Sequence, residues 1–383
     1  MAGSGKWGHP VPEITDFERE GRIARLREMM QAQGVDAVLL GSSNNLRYFS
    51  GLVWGQSERL CGALITATRL IYIAPAFEQS RVESLPKLPG EIAVWQEDEN
   101  VAVLVADLVG QAGKVALDDA LPLYLYYPLI SALGVERTTN AGPLLRALRI
   151  VKSPAEIALI DYAMGLTLDV HRAVHAMLKP GVRASDVMRF IDEEHRRRAG
   201  QGSTFCIVSF AEATALPHGA PYDQTLKAGD AILVDTGTRI DGYHSDLTRT
   251  YWLDEPSRED ARLWQVERDA QQAVFDAAQL GAACSSLDDA ARRVIAAAGM
   301  GPDYRLPGLP HRAGHGLGLE IHEEPYIVRG NATALAPGMV FSNEPMIVIP
   351  DRLGIRLEDH IHMSKQGPVW FTQPSKSPTE PFG

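Results

Sequence analysis

Residues 231–252, AILVDTGTRIDGYHSDLTRTYW, decide the fold of the second half of the chain. The stretch opens as an apolar run that ends on Asp235, turns through glycine and aspartate, and delivers Asp246 ahead of β-favouring residues. Such runs predict two strands joined as an antiparallel hairpin, in which the two aspartates can point into one cavity. Because neighbouring carboxylates repel, a divalent metal between them is one interpretation. Solvated acids on the rim of the hairpin are the other.

Composition limits the classes of protein that the chain can represent. Its 383 residues, 45% hydrophobic and 22% charged, are typical of a globular protein with room for two domains. The formal net charge of -11 argues against a nucleic-acid partner, which requires a basic surface. The three cysteines, Cys61, Cys206 and Cys284, are widely spaced and form no CxxC pair. We therefore expect buried thiols in a reducing compartment.

Neither a targeting signal nor a membrane span is predicted. Residues 1–14, MAGSGKWGHPVPEI, lack the apolar region of a signal peptide. No uninterrupted apolar run approaches the length of a membrane-spanning helix. These features predict a cytoplasmic enzyme with no membrane partner.

The first 150 residues alternate between helical and strand patterns. A helix is expected over 15–34, with Thr15 as its N-cap and Gly34 as its C-cap, and a loop over 41–45. Strands are expected over 35–40, 62–66, 69–73, 92–95 and 114–117. This alternation predicts an α/β domain with a mixed sheet. No GxGxxG motif follows the first strand, so a dinucleotide site is not expected.

A change of pattern near residue 150 predicts a domain boundary. Ser153 before Pro154 indicates a helix start, and the helix should extend to about Lys179. Further helices are expected over 184–198, 257–281 and 287–298, and strands over 338–342 and 346–349. Residues 151–383 should therefore form an α+β domain, with helices against an antiparallel sheet.

Three polar clusters follow the hairpin: PHRAGHGLGLEIHEEP at 310–325, FSNEP at 341–345 and GIRLEDH at 354–360. The glycines beside His315 let the backbone pack closely while the imidazole reaches a ligand. Glu344 and Glu358 each end an apolar, strand-like pattern, where an acid points inward only if it is paired or metal-bound. Taken singly, the histidine would more often be structural than a ligand, and each glutamate would be a surface acid.

Taken together, Asp235, Asp246, His315, Glu344 and Glu358 form an oxygen-rich set with one nitrogen. Such a set suits Mn²⁺, Co²⁺ or Zn²⁺. Five ligands with bridging carboxylates suffice for two ions roughly 3.5–4 Å apart, which can bridge one water and stabilise a tetrahedral intermediate. The HEXXH motif of single-zinc peptidases is absent.

In their order and spacing, the motifs VDTG…GYHSDLTRT, GHGLGLEIHEEP, NEP and GIRLED closely resemble those of the pita-bread metallopeptidase family. This family includes prolidase (Xaa-Pro dipeptidase), aminopeptidase P and methionine aminopeptidase. The resemblance implies a creatinase-like α/β domain over residues 1–150. It implies an α+β pita-bread catalytic domain over residues 151–383.

The resemblance also implies a role for each of the five ligands. Asp235 would hold one metal, and Asp246 would bridge to the second. His315 and Glu344 would hold that second metal, and Glu358 would bridge. Glu344 would also carry the proton from the bridging water to the leaving amine.

Four further residues match positions around the family's active site. His322 resembles the histidine that steadies the substrate carbonyl, and His218 resembles the other active-site histidine. Arg356 would lie near the substrate carboxylate or behind the ligands, with a structural ion pair as the alternative. Thr248 would support the metal-binding carboxylates.

The reaction implied is metal-dependent hydrolysis of dipeptides, most of all Xaa-Pro. The moderate N-terminal domain, the HEEP motif and the short chain favour a dipeptidase over an aminopeptidase P that acts on longer peptides. Met346 after Glu344-Pro345 resembles creatinase, a relative without metal, so a non-peptide hydrolase or lyase remains an alternative. A scaffold that binds a partner without catalysis is disfavoured, because no ligand is missing.

The resemblance further implies a homodimer, in which the N-terminal domain of one chain closes over the active site of the other. Residues 53–59 carry Trp54 beside paired charges, a composition found at interfaces, and are the candidate contact. Packing of this loop within its own domain is the alternative.

Overall fold

The computed structural model describes residues 11–86, 88–110 and 113–383. Most of the stretch 1–14, on which the expectation about a signal peptide depends, lies outside these residues. One compact unit is formed by Ile14–Arg149, and the other by Ile150–Gly383 with residues 11–13. Within the described ranges, every helix is too short or too polar to cross a membrane.

The unit Ile14–Arg149 is an α/β domain with one mixed sheet. Its helices are α1 Asp16–Gln33, α2 Asn44–Ser50, α3 Gln79–Ser84, α4 Val101–Val109, α5 Leu123–Leu133 and α6 Gly142–Arg149. Its strands are β1 Ala37–Leu40, β2 Gly62–Thr66, β3 Leu70–Pro75, β4 Glu91–Trp95, β5 Val115–Leu117 and β6 Thr138–Asn140. The strand order is β4-β3-β2-β1-β5-β6. Strand β1 runs antiparallel to β2 and parallel to β5, so the predicted mixed sheet is confirmed.

Local capping explains where the first two helices begin. Thr15 accepts a hydrogen bond from the Glu18 backbone N–H at 3.2 Å, and Gly34 ends α1 at φ 64°, as predicted. The expected loop over 41–45 is wrong in its second half. Ser43 accepts from the backbone N–H of Asn45 at 3.2 Å and so caps α2, which the sequence pattern did not reveal.

The loop that carries Trp54 packs within this unit. Trp54 is half-buried, and the guanidinium carbon of Arg81 lies 4.7 Å from the centre of its indole ring. This is a cation–π arrangement. The contact corresponds to the alternative interpretation of the loop.

The second unit is an α+β domain whose strand pairs are antiparallel. Its helices are α7 Pro154–Met177, α8 Ala184–Ala199, α9 Arg258–Ala277 and α10 Cys284–Ala297. Its strands are β7 Phe205–Phe210, β8 Ile232–Gly237, β9 Arg239–Ile240, β10 Tyr243–His244, β11 Leu247–Tyr251, β12 Gly314–Gly316, β13 Glu323–Ile327, β14 Val340–Asn343, β15 Met346–Ile349, β16 Leu353–Arg356, β17 Asp359–Ser364 and β18 Gly367–Trp370. The sheets have the orders β11-β8-β7, β13-β12-β14-β17-β18, β15-β16 and β9-β10.

Among the described residues, apolar side chains pack on both sides of the strands of this unit. Helices α7 and α8 pack on one side of β7, β8 and β11 through Val170, Val187 and Val234. Helices α9 and α10 pack on the other sheets through residues that include Trp264 and Phe341. Burial of such side chains stabilises the strands between the helices, and the site is built on those strands.

The central hairpin is confirmed, with one addition. Strands β8 and β11 pair antiparallel, and Asp235 lies opposite Thr248. The connection between them forms a second, shorter hairpin from β9 and β10. This second hairpin returns the chain so that Asp246 immediately precedes β11.

Candidate metal centre

Asp235 and Asp246 enter the site from the paired strands β8 and β11. Both side chains are buried, and both line a cavity of about 300 Å³. Strand alternation explains the position of Asp235, which extends from the β8 backbone into this cavity. The predicted convergence of the two aspartates is therefore present in the structure.

His315 and Glu344 come from the five-stranded sheet. His315 lies in β12, and its Nε2 is 2.9 Å from Oε1 of Glu344 and 3.7 Å from Oδ2 of Asp246. Glu344 directly follows β14, where Ser342 Oγ donates to its Oε1 at 3.0 Å. The same hydroxyl accepts from the His315 backbone N–H at 2.8 Å, which fixes the two strands relative to each other.

Glu358 lies between β16 and β17 and reaches the hairpin. Its Oε2 accepts a hydrogen bond from Thr248 Oγ1 at 2.7 Å, and its backbone N–H donates to the Thr248 carbonyl at 3.0 Å. Thr248 therefore anchors Glu358 from the strand that faces Asp235.

Arg356 lies behind Asp235. Its Nη2 donates to Asp235 Oδ2, and its Nε donates to Thr248 Oγ1 at 3.2 Å. Another nitrogen, Nη1, is 3.3 Å from the Pro217 carbonyl and 3.8 Å from the sulfur of Met346. Arg356 is 5% exposed, so its charge serves buried groups of the site.

Four carboxylates line the same small cavity and shift one another's pKa: those of Asp235, Asp246, Glu344 and Glu358. Burial, together with the charges of Asp235 and Glu344, raises the pKa of Asp246 well above its usual range. Burial and the charge of Asp246 do the same to the pKa of Glu358. Burial also raises the pKa of Asp235, against the opposing effect of Arg356. The exception is Glu344, where neighbouring His315 outweighs burial and lowers the pKa.

The residues present fit divalent cations. Oδ1 of Asp235 and Oε1 of Glu358 are buried and have no hydrogen-bond partner among the described residues. Buried carboxylate oxygens without a partner, in an excess of like charge, are what hard cations neutralise. Ligand atoms lie within 4.8 Å of one another in three overlapping sets, Asp246-His315-His322, Asp246-Glu358-His360 and His315-Glu344-Glu358.

Two histidines predicted from the sequence are exposed at the mouth of the site. His218 and His322 both line the cavity of about 300 Å³ and an adjoining one of about 550 Å³. The rings of His322 and His315 are 4.1 Å apart between centroids. Partial burial and the charge of His315 lower the pKa of His322 to about 4, so its imidazole is neutral at pH 7.

His311 and His360 were not predicted from the sequence as site residues. His311 lines the larger cavity, and its buried Nε2 has no partner among the described residues. His360 is buried in β17, next to Asp246 and Glu358. His311 stands four residues before His315 in the first polar cluster, and His360 stands two residues after Glu358 in the third. Their closeness in sequence to two predicted metal ligands could have identified them as site residues.

Comparison with protein families identifies both units. Residues 158–365 match the model of metallopeptidase family M24. Residues 22–151 match the creatinase/prolidase N-terminal domain. The fold class expected from the motif resemblance, with its two domain types, is confirmed.

Individual relatives cover nearly the whole chain. A probable dipeptidase PepE of Mycobacterium tuberculosis is 36% identical over 358 residues, which are 91% of this chain and 92% of that protein. The crystal structure of dipeptidase PepE from Mycobacterium ulcerans has a TM-score of 0.87 at 33% identity, covering 93% of this chain and 95% of its own. An Xaa-Pro dipeptidase from Bacillus anthracis has a TM-score of 0.83 at 28% identity, covering 95% and 99%.

Proposed function

This chain belongs to metallopeptidase family M24, and from that premise we propose that it is a dipeptidase that cleaves Xaa-Pro dipeptides with two divalent metal ions. The observation that carries the proposal is one cavity lined by His315, three buried carboxylates and the partly buried Glu344, in which two carboxylate oxygens have no partner among the described residues. Similarity to dipeptidase PepE supports a dipeptide substrate. Similarity to the Xaa-Pro dipeptidase supports proline at the second position.

Asp235, Asp246, His315, Glu344 and Glu358 would hold the two ions. Their oxygen-rich composition with one imidazole suits Zn²⁺, Mn²⁺ or Co²⁺. When bound, such a pair lowers the pKa of a water molecule and stabilises negative charge on a tetrahedral intermediate.

The chain's own groups then orient the substrate and move the protons. Glu344 is ionised and lines the cavity, so it can accept the proton released by the attacking water and return it to the leaving nitrogen. His322 is neutral at pH 7 and can donate an N–H to the substrate carbonyl oxygen. His218 reaches the same cavity as a second donor. Arg356 acts through Asp235, which it holds in place.

The proposal includes a homodimer in the cytoplasm. Cys61, Cys206 and Cys284 are all free thiols, which supports a reducing compartment.

The molar mass by light scattering, measured across a range of protein concentrations, tests the homodimer. A mass equal to that of one chain would contradict it.

A peptide panel tests the proposed reaction. Metal-stripped protein is reloaded separately with Mn²⁺, Co²⁺ and Zn²⁺ and assayed on Ala-Pro, Leu-Pro, Leu-Ala and Ala-Pro-Ala. We expect cleavage of Ala-Pro and Leu-Pro, slower cleavage of Leu-Ala, no cleavage of the tripeptide, and no activity in Asp246→Ala. Rapid cleavage of Ala-Pro-Ala would indicate an aminopeptidase instead. Inactivity on all four peptides would contradict a peptidase assignment.

A further inference from the structure

A dipeptide has a free carboxylate close to its scissile bond, and a cation near the metal centre can distinguish it from a longer peptide, which has no charge at that position. Arg356 is the cation nearest the metal centre that the sequence suggested. Its guanidinium, however, already donates to Asp235, Thr248 and the Pro217 carbonyl. If the proposed function is correct, a second cation whose N–H donors are free is better placed to bind that carboxylate.

Arg312 meets this requirement. It lines the cavity of about 550 Å³ together with His218, His322 and Glu344. Unlike Arg356, Arg312 is only partly buried. Within the described part of the chain, its guanidinium forms no ion pair or hydrogen bond, so its N–H groups are available to a ligand.

The structure holds Arg312 in a defined position. Its guanidinium carbon lies 4.4 Å from the centre of the Tyr326 ring in β13, which restricts the side chain without using its N–H donors. The backbone is fixed on both sides, because the Arg312 carbonyl is 2.6 Å from His311 Nδ1 and the Ala313 N–H donates to the Ile327 carbonyl at 3.1 Å. Such preorganisation favours recognition of a planar carboxylate.

We propose that Arg312, stacked on Tyr326, binds the C-terminal carboxylate of the substrate and thereby makes the enzyme selective for dipeptides. This inference rests on the proposed function. It assigns the substrate carboxylate to the larger cavity, on the His322 side of the metal centre. It also explains how the site can favour a dipeptide without a closed wall beyond the second residue.

The test compares each dipeptide with its C-terminal amide, which lacks the negative charge. Values of kcat/KM are measured for Leu-Pro, Leu-Pro amide, Leu-Ala and Leu-Ala amide. For wild type we expect the acids to be preferred by about 10- to 100-fold, the range for a hydrogen-bonded charge pair. Arg312→Gln should lose that preference through a higher KM for the acids, with the amides changed by less than about twofold. Arg312→Lys should keep part of the preference, because it retains the charge but not the planar fork.

Arg329→Gln is the matched control. Arg329 is exposed and pairs with Asp303 at 2.7 Å, so its loss should leave all four values unchanged. An equal decrease in kcat/KM for acids and amides in Arg312→Gln would mean that Arg312 is only structural. Unchanged kcat/KM for both would mean that Arg312 does not contact the substrate. Either result would overturn the inference.

Calorimetric binding of L-proline and L-prolinamide to metal-loaded protein separates this inference from the proposed function. We expect wild type to bind proline more tightly than prolinamide, and Arg312→Gln to bind the two alike. If wild type cleaves no peptide but shows this difference, the proposed reaction fails while the role of Arg312 stands. If wild type cleaves dipeptides but treats acids and amides alike in both assays, the role of Arg312 fails and the reaction stands.

Discussion

Arg356 donates a hydrogen bond to Oδ2 of Asp235, while Oδ1 of the same carboxylate has no hydrogen-bond partner among the described residues. One oxygen is thus held by a buried cation and the other is free for a metal. A metal ligand whose second oxygen is fixed by the protein keeps its orientation and loses less entropy on binding. We therefore propose that Arg356 is a positioning residue for the metal centre.

Arg356→Gln is therefore expected to weaken metal binding. Outer residues of this kind typically contribute about 10- to 100-fold to metal affinity or activity. Calorimetric titration with Mn²⁺ and steady-state assays on Leu-Pro should both show a decrease of that order. Arg352→Gln is a suitable control, because Arg352 pairs with Asp260 away from the site. Wild-type metal affinity with a raised KM for the free acid alone would instead place Arg356 on the substrate.

The ion pair between Arg249 and Asp359 should be a major determinant of stability. Arg249 Nη2 lies 2.6 Å from Asp359 Oδ1, and both side chains are fully buried. Asp359→Asn leaves the guanidinium without its counter-charge and should reduce the free energy of unfolding by about 3–5 kcal/mol. Chemical denaturation of the metal-free protein measures the change.

Asp186→Asn provides the matched comparison. It removes the same charge from a pair with Arg189 that is exposed on both sides, at 3.0 Å. The expected decrease is at most about 1 kcal/mol. Equal effects from the two substitutions would refute the importance of burial.

His195 should make the fold sensitive to acid. Burial lowers the pKa of His195 from 6.5 to about 4, and its ring nitrogens lie 2.8 Å from Ser203 Oγ and 3.3 Å from Thr167 Oγ1. Because the folded pKa is depressed, the unfolded chain takes up the proton first as pH falls. Neutral, buried His195 therefore makes its full contribution to the free energy of unfolding above pH 6.5. That contribution is lost as the pH falls from 6.5 to 4.

His195→Gln should flatten this pH dependence. In wild type, the free energy of unfolding should fall by on the order of 3 kcal/mol over this pH range because of His195. Glutamine can keep hydrogen-bonding capacity at the position but does not titrate. Urea denaturation of both proteins at pH 8, 6.5, 5 and 4 measures the slope. Parallel slopes for wild type and His195→Gln would show that other groups control the acid response.

Much of the fold follows from local sequence signals. The Ser153-Pro154 pair predicts the start of α7, where Ser153 accepts from the Glu156 backbone N–H and the Glu156 side chain accepts from Ser153 in return. Strands such as β2 and β15 match their apolar patterns. Short strands such as β12 were missed because glycine and histidine, which form it, carry little β-propensity.

The candidate site likewise has features that the local sequence predicts and features that depend on long-range pairing. Spacing and residue type indicate Asp235, Asp246 and His315 as candidate metal ligands, and the structure places all three in one cavity. The stacking of Arg312 on Tyr326 depends on strand pairing between β12 and β13. Pairing across a sheet edge brings together residues that are distant in sequence, and no local pattern encodes it.

The number of metal ions needed for turnover tests the central claim most directly. Metal-stripped protein is titrated with Mn²⁺ in a calorimeter, and hydrolysis of Leu-Pro is measured at each addition. We expect two ions per chain in wild type, activity that requires them, and loss of both binding of the second ion and turnover in Glu358→Gln. Full activity with one ion, or activity that survives complete removal of metal, would contradict the account.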